Sequence, residues 1–411
     1  MQEEFYRIKR LPPYVFAEVN KMKADARANG DDIIDFGMGN PDSATPEHIV
    51  DKLVESARNP KAHRYSNSRG IPGLRRALSD YYERRFGVSI DPENEAIVTL
   101  GSKEGMANLA QAITSPGDIV LSPNPSYPIH AFGFIIAGGA VRYLPAYVQS
   151  TEARREFMAT LKRGVEYSIP KPLAVVLNYP SNPTAESVHL DFYSEIVDFC
   201  RYHEIYILSD LAYSEVYFDG NPPPSILQVP GARDLAVEFT SLSKTYSMPG
   251  WRIGFAAGNK TLIEALARVK SYLDYGAFTP VQVAATAALN GPQKCVEDMR
   301  ALYQGRRDVL VKGLEAAGWK IPSPKATMFA WAPIPASYQE AGSLEFSKVL
   351  LREAKVAVSP GIGFGEYGEG FVRIALVENL HRTRQAIRNI KALLVGAPNP
   401  EEATVIKAVA E

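Results

Sequence analysis

AVEFTSLSKTYSMPGWRIGFAAG, residues 236–258, places two short apolar runs, AVEFT (236–240) and IGFAAG (253–258), on either side of a polar segment carrying Ser241, Ser243, Lys244 and Arg252. Four similar runs precede it: AIVTL (96–100), DIVLS (118–122), LAVVLN (173–178) and IYILS (205–209). Longer helix-period stretches such as LDFYSEIVDFCRYH lie between them. Strand-length runs alternating with helix-length segments predict parallel strands with crossover helices, hence an α/β fold with a mostly parallel open sheet. Several runs end directly in chemically capable residues: Gly101-Ser102-Lys103, Asn178, Ser209-Asp210 and Ser241. In open α/β sheets the ligand crevice lies at the carboxyl ends of the strands, so these ends mark the expected site. Polar loops alone would also place such residues there.

The pattern changes in the last third. Helical stretches at 297–316 and 343–354 flank the strand candidates FAWAP (329–333) and FVRIAL (371–376), which predicts a smaller α+β domain. We therefore divide the chain into an N-terminal arm with part of the small domain (1–45), a large domain (46–289), a small C-terminal domain (290–395) and a flexible tail (396–411). The segment Ile33 to Gly39 is expected to join the small domain.

With 45 Lys plus Arg against 46 Asp plus Glu, the 411-residue chain has a formal charge of −1. That balance gives no electrostatic reason for a nucleic acid or an acidic membrane as partner, and points to a small ligand. Cys200 and Cys295 cannot build a disulfide framework, and neither has metal-ligand spacing, so no metal is expected. The opening MQEEFYRIKRLPPY lacks the apolar core of a secretory signal, and no apolar run approaches the roughly 20 residues needed to span a bilayer. A soluble, cytoplasmic protein is the expectation.

A single lysine carries no weight, since most are solvated surface residues. Lys244 differs because it sits in a Ser-x-Ser-Lys turn after an apolar strand, with Gly-Trp-Arg-Ile-Gly following. This stretch resembles the S-x-S-K-x(7)-R-x-G motif of class I and II aminotransferases, which use pyridoxal 5'-phosphate (PLP) and adopt fold type I. The resemblance implies that Lys244 holds the cofactor aldehyde as a Schiff base and then shuttles the substrate's Cα proton, while Ser241, Ser243 and Arg252 hold the phosphate. In LSDLAYSEV (208–216), it assigns Asp210 to the pyridine nitrogen and Tyr213 to the 3'-oxygen. A carboxylate there favours the protonated ring, which is the electron sink. Asp210 equally suits a helix cap.

Further matches extend the likeness over roughly residues 10–395. NYPSNPTAESV (178–188) resembles the N-x-P-x-N-P-T/G loop, with Asn182 near the 3'-oxygen and the carboxylate pocket; Ala185 stands where the family usually has Gly. Asn-Pro pairs are also ordinary turn formers. GSKEGMANLAQAI (101–113) offers Ser102 and Lys103 at a helix N-terminus, a place suited to a phosphate and equally to a plain Ser cap. Tyr127 in PNPSYPIH matches the aromatic that stacks on the cofactor ring, or packs in its loop. Arg373 matches the arginine for the substrate α-carboxylate, or serves as a salt-bridge partner. Tyr65 in HRYSNSRG matches a tyrosine reaching the cofactor phosphate of a neighbouring subunit, which implies a homodimer with shared sites. Tyr14 and Gly39 match weaker positions near the substrate.

Within the family, LPPYVFAEVN, FGMGNPDSATP and YSNSRGIPGLRRA resemble bacterial glutamate-pyruvate (alanine) aminotransferases and, more distantly, LL-diaminopimelate aminotransferases. The implied activity is ping-pong transfer of an amino group between an L-amino acid and a 2-oxo acid. Aspartate or methionine transamination and a PLP carbon-sulfur lyase share the same cofactor residues. A PLP-binding half of a transcription regulator is not expected, because only a few tens of residues precede Gly39. A nicotinamide enzyme is disfavoured by the lack of a GxGxxG between strand and helix.

Overall fold

The computed structural model describes residues 5–12 and 15–395, so the expectations for Tyr14 and for the tail at 396–411 lie outside the described residues. The strands in chain order are β1 (Ile34–Asp35), β2 (Ala96–Thr99), β3 (Ile119–Asn124), β4 (Ala140–Pro145), β5 (Ala174–Leu177), β6 (Tyr206–Asp210), β7 (Ala236–Ser241), β8 (Gly254–Gly258), β9 (Phe329–Pro333), β10 (Val356–Ala357), β11 (Ser359–Pro360) and β12 (Phe371–Ala375). Seven of them form one sheet in the order β2-β8-β7-β6-β5-β3-β4. Every predicted run of the large sheet is present. β4, in the half-exposed sequence AVRYLP, adds an edge strand that apolar content does not reveal.

The sheet is buried on both faces, which is why its strands read as continuous apolar runs rather than alternating ones. Ile97, Val120, Val176, Leu208 and Val237 pack against Met106, Leu109, Phe134 and Leu266 on one side. Val98, Leu121, Val175, Leu177 and Ile207 join the larger cluster on the other. Burying each such side chain contributes about 1.5–3 kcal/mol.

One expectation is corrected. Run 253–258 is not parallel to its neighbours: β8 pairs antiparallel with both β2 and β7, while β3 to β7 are mutually parallel along the ladder. The β7–β8 connection contains only a four-residue helix, Leu242–Thr245, and a short 3-10 turn, Pro249–Trp251, rather than a crossover helix. Without a crossover the chain turns back at the same edge. The starting end of β8 thereby lies beside the finishing ends of its neighbours.

The remaining strands lie outside this sheet. β9, β11 and β12 form an antiparallel sheet in the order β11-β12-β9, and β1 pairs in parallel with β10. The β1–β10 pair ties the N-terminal segment to the C-terminal third, a link reinforced by the two-pronged pairs of Arg306 with Asp42 (2.7 Å for each prong) and Arg382 with Asp32 (2.6 and 2.7 Å). Among the described residues, no helix is long and apolar enough to cross a membrane, and no cluster of His, Cys, Asp or Glu could hold a metal ion.

Candidate active site

Parallel strands bring their carboxyl ends to one edge, and a cavity of about 430 Å³ lies there. It collects Ser102 and Lys103 after β2, Tyr127 after β3, Asn178 and Asn182 after β5, Asp210 and Tyr213 from the end of β6 onward, and Ser241, Ser243 and Lys244 from the end of β7 onward. Arg252 enters because β8 is antiparallel and begins at this edge. Gly39 and Arg373 close the opposite wall. Tyr65 does not line the cavity; it is 86% exposed, its ring 4.6 Å from that of Tyr275.

At one end the cavity is built for an anion. The helix Ser102–Ile113 starts there, with Gly101 before it at φ 84°. A Cβ at Gly101 would stand 2.4 Å from Arg252 Nη2, so only glycine permits both the turn and the approach of the guanidinium. Arg252 donates to the carbonyls of Pro249 (2.9 Å) and Leu100 (3.0 Å), which fixes its plane. The Ser241 hydroxyl donates to Ser243 Oγ at 2.9 Å and accepts from the Ser243 amide at 3.2 Å. Hydroxyls, a lysine, a guanidinium and a helix N-terminus converge on one space, a donor set suited to a phosphate.

The cavity is lined by a single carboxylate. Asp210 ends β6, and the residues after it form turns rather than a helix, with Oδ1 accepting the Ala212 amide at 3.2 Å. His130 Nε2 lies 2.8 Å from Asp210 Oδ2 in a fully buried contact. Asn178 donates to the Asp210 carbonyl at 2.8 Å and accepts the Asn182 amide at 2.9 Å, locking the two strand ends together. His130 was not singled out from the sequence. Its one local signal is its position three residues after Tyr127, at the start of the helix Ile129–Ala137.

Lys244 lines the same cavity, its amine donating to the Gly39 carbonyl at 2.7 Å. Burial, then the Arg373 and Arg252 charges, lower its pKa from 10.5 to about 8. Tyr213 packs edge-on against Phe329, and burial pushes its phenol well above the usual range. Tyr127 has the Lys103 ammonium 5.6 Å from its ring centre.

Arg373, from the middle of β12, lies with its guanidinium 4.1 Å from the ring centre of Phe329 and 4.6 Å from that of Phe364. It donates to Asn182 Oδ1 (2.8 Å), to the Gly37 carbonyl (3.1 Å) and to Ser359 Oγ (3.3 Å). Because Oδ1 of Asn182 accepts, its amide Nδ2 is left to donate. Ala185, where the motif usually carries Gly, adopts φ 58°, so the loop keeps its left-handed residue without the glycine.

An α/β sheet with a phosphate-type cradle, a buried lysine and a carboxylate at one strand edge defines a pyridoxal-phosphate enzyme of fold type I. The family model "Aminotransferase class I and II" matches residues 31–390, and the chain belongs to that family; its cofactor is pyridoxal 5'-phosphate. It is 62% identical to AatC of Rhizobium meliloti over 96% of each chain. It is 57% identical to the glutamate-pyruvate aminotransferase AlaC of Escherichia coli, over 95% of this chain and 94% of that one. An LL-diaminopimelate aminotransferase of Moorella thermoacetica is 43% identical over 95% and 98%. Among solved structures, substrate-bound BacF of Bacillus subtilis superposes with a TM-score of 0.87 at 34% identity, covering 96% of this chain and 98% of that one. An aspartate aminotransferase double mutant of Thermus thermophilus gives 0.86 at 29%, covering 96% and 100%.

Proposed function

We propose that this aminotransferase moves the amino group of L-glutamate to pyruvate, in two half-reactions that use the same cavity in turn. The observation that carries this reading is the charge of the wall: Lys23, Lys103, Lys244, Arg252 and Arg373 face the cavity, against the single carboxylate of Asp210. Such a wall suits a phosphate and the carboxylates of an acidic substrate. The relative named glutamate-pyruvate aminotransferase directs the choice of substrate pair.

When bound, the cofactor supplies an aldehyde to receive the amino group and a protonated ring that withdraws electrons. Ser102, Lys103, Ser241, Ser243 and Arg252 would hold its phosphate, and Asp210 would keep its ring nitrogen protonated, with His130 fixing the carboxylate. Tyr213 and Asn182 would meet the ring oxygen, and Tyr127 the ring face. Arg373 would take the substrate α-carboxylate in a two-pronged bond. Lys244 would take the proton from the substrate Cα and return it. Burial beside Arg373 and Arg252 lowers its pKa and so favours the neutral amine that this proton transfer needs.

We place Tyr65 in a homodimer, reaching the partner's phosphate site. Exposed Tyr65, Tyr272, Tyr275 and Phe278 supply an apolar face that supports the pairing.

The test is spectroscopic. The purified yellow protein should lose its visible cofactor absorbance with glutamate and regain it with pyruvate. No such cycle with any amino acid refutes transamination here. Trials with alanine, aspartate, methionine and LL-diaminopimelate rank the donors; the second reading, favoured by the 43% identical relative, takes LL-diaminopimelate as donor. Turnover without any 2-oxo acid would indicate a lyase.

A further inference from the structure

Of the five cations facing the cavity, four have a duty: Lys103 and Arg252 toward the phosphate, Lys244 toward the reacting carbon, Arg373 toward the α-carboxylate. Lys23 has none. It belongs to the helix Phe16–Ala28, where Phe16, Val19, Asn20 and Lys23 recur at three and four residues and all line the cavity. Of the cations in this helix, Lys23 is the one that lines the cavity, while Arg27, one turn further on, lies outside it.

Its present partner is built to release it. Lys23 Nζ lies 2.8 Å from Asp35 Oδ2, with the lysine side chain only 12% exposed. The same Oδ2 oxygen also receives Arg27 Nη2 at 3.2 Å. Asp35 thus keeps a counter-charge if Lys23 turns away, and breaking the pair strands no buried anion. The other oxygen of Asp35 accepts the Gly37 amide at 3.0 Å, and the Gly37 carbonyl in turn accepts from Arg373 at 3.1 Å. Residues 35–37 thus join Lys23 and Arg373 through one hydrogen-bonded segment, and both cations line the same cavity.

We propose that Lys23 is the specificity-determining residue that binds the distal carboxylate of a dicarboxylic amino acid and its 2-oxo acid, exchanging Asp35 for the substrate while Arg27 holds Asp35. When a monocarboxylic partner such as alanine or pyruvate occupies the site, Lys23 stays on Asp35 and leaves no charge uncompensated. One cavity thereby accepts both a methyl and a carboxylate side chain. This inference rests on the glutamate reading above.

The experiment compares wild-type holoenzyme with Lys23→Met and Lys23→Arg. The ratio of kcat/KM for glutamate to that for alanine is measured, along with calorimetric binding of glutarate, an unreactive dicarboxylate. Lys23→Met should lower the ratio by about ten- to a hundred-fold, the loss of one charge-assisted hydrogen bond, and weaken glutarate similarly. Lys23→Arg should restore most of both, and it serves as the reporting variant should Lys23→Met fail to fold: glutarate binding within about tenfold of wild type is then required. An unchanged ratio in Lys23→Met, or equal losses for glutamate and alanine, overturns the proposal. If wild-type enzyme itself neither uses glutamate nor binds glutarate, the substrate reading fails instead.

Discussion

Removing the lysine at the centre of the site should make the cofactor-free protein more stable at neutral pH, not less. Lys244 in the folded chain has its pKa lowered from 10.5 to about 8, first by burial and then by the charges of Arg373 and Arg252. Above 10.5 the amine is neutral folded or unfolded, and its burial carries no protonation cost. As pH falls from 10.5 to about 8, the unfolded chain takes up a proton that the folded chain refuses, so stability declines. Below the folded value the penalty levels off at about 3 kcal/mol, from about 1.4 kcal/mol per tenfold difference. Lys244→Met abolishes that penalty. It also removes the 2.7 Å hydrogen bond to the Gly39 carbonyl, a loss of about 1.5–2 kcal/mol. The net expectation at pH 7 is a gain of about 1 kcal/mol for the apoprotein variant. At pH 10 most of the penalty has gone from the wild type and its amine donates as a neutral group, so the variant's advantage should vanish to within about 0.5 kcal/mol. Urea unfolding of both apoproteins, at matched concentration and at the two pH values, measures the difference directly. A variant less stable than wild type at pH 7, or a difference that does not move with pH, refutes the reasoning.

Asp210→Asn should retain the fold but lower kcat by about ten- to a thousand-fold, because the protonated ring loses its counter-charge; steady-state kinetics at saturating cofactor report it. His130→Leu should lower kcat, since the buried neighbour 2.8 Å from Asp210 Oδ2 is gone; an unaltered kcat and an unaltered visible cofactor spectrum count against a positioning role. Arg373→Lys should raise KM for every amino acid by about tenfold or more, the two-pronged bond and the stack between Phe329 and Phe364 being lost together. Glu238→Leu should destabilise the fold by about 1–3 kcal/mol in urea unfolding, because Ser225, Tyr82, Ser209 and the Ile226 amide all donate to this buried carboxylate.

Chain direction and helix neighbours explain what could and could not be read from the letters. The six predicted strand runs were legible because a doubly covered sheet demands continuous apolar residues, and the polar ends of those runs mark where the cavity lies. An apolar run carries no arrow, however, so GFAAG could not disclose that β8 runs against its neighbours. That reversal is what delivers Arg252 to the strand edge, eight residues after Lys244 in the motif yet on the starting end of the next strand. The spacing in the sequence is therefore the length of a return loop, with Gly101 kept small to admit the guanidinium.

The two residues that the letters hid, His130 and Lys23, share a different cause. Each is a side chain on a helix whose face is chosen by tertiary packing, and neither stands in one of the quoted motifs with an assigned role. Lys23 sits two positions from Lys21 in a helix of mixed charge; nothing local distinguishes them, yet Lys21 is exposed while Lys23 faces the cavity. A two-residue step in a helix turns the side chain by about 200°, so adjacent cations on one helix face opposite environments. Cofactor residues clustered in motifs because one rigid ligand must be met at several atoms by strand ends fixed in a sheet. Substrate side chains vary at one end only, and the residue that reads them can come from any element packed over that end. For this chain that element is the helix Phe16–Ala28, and the substrate question reduces to what Lys23 holds when the cavity is filled.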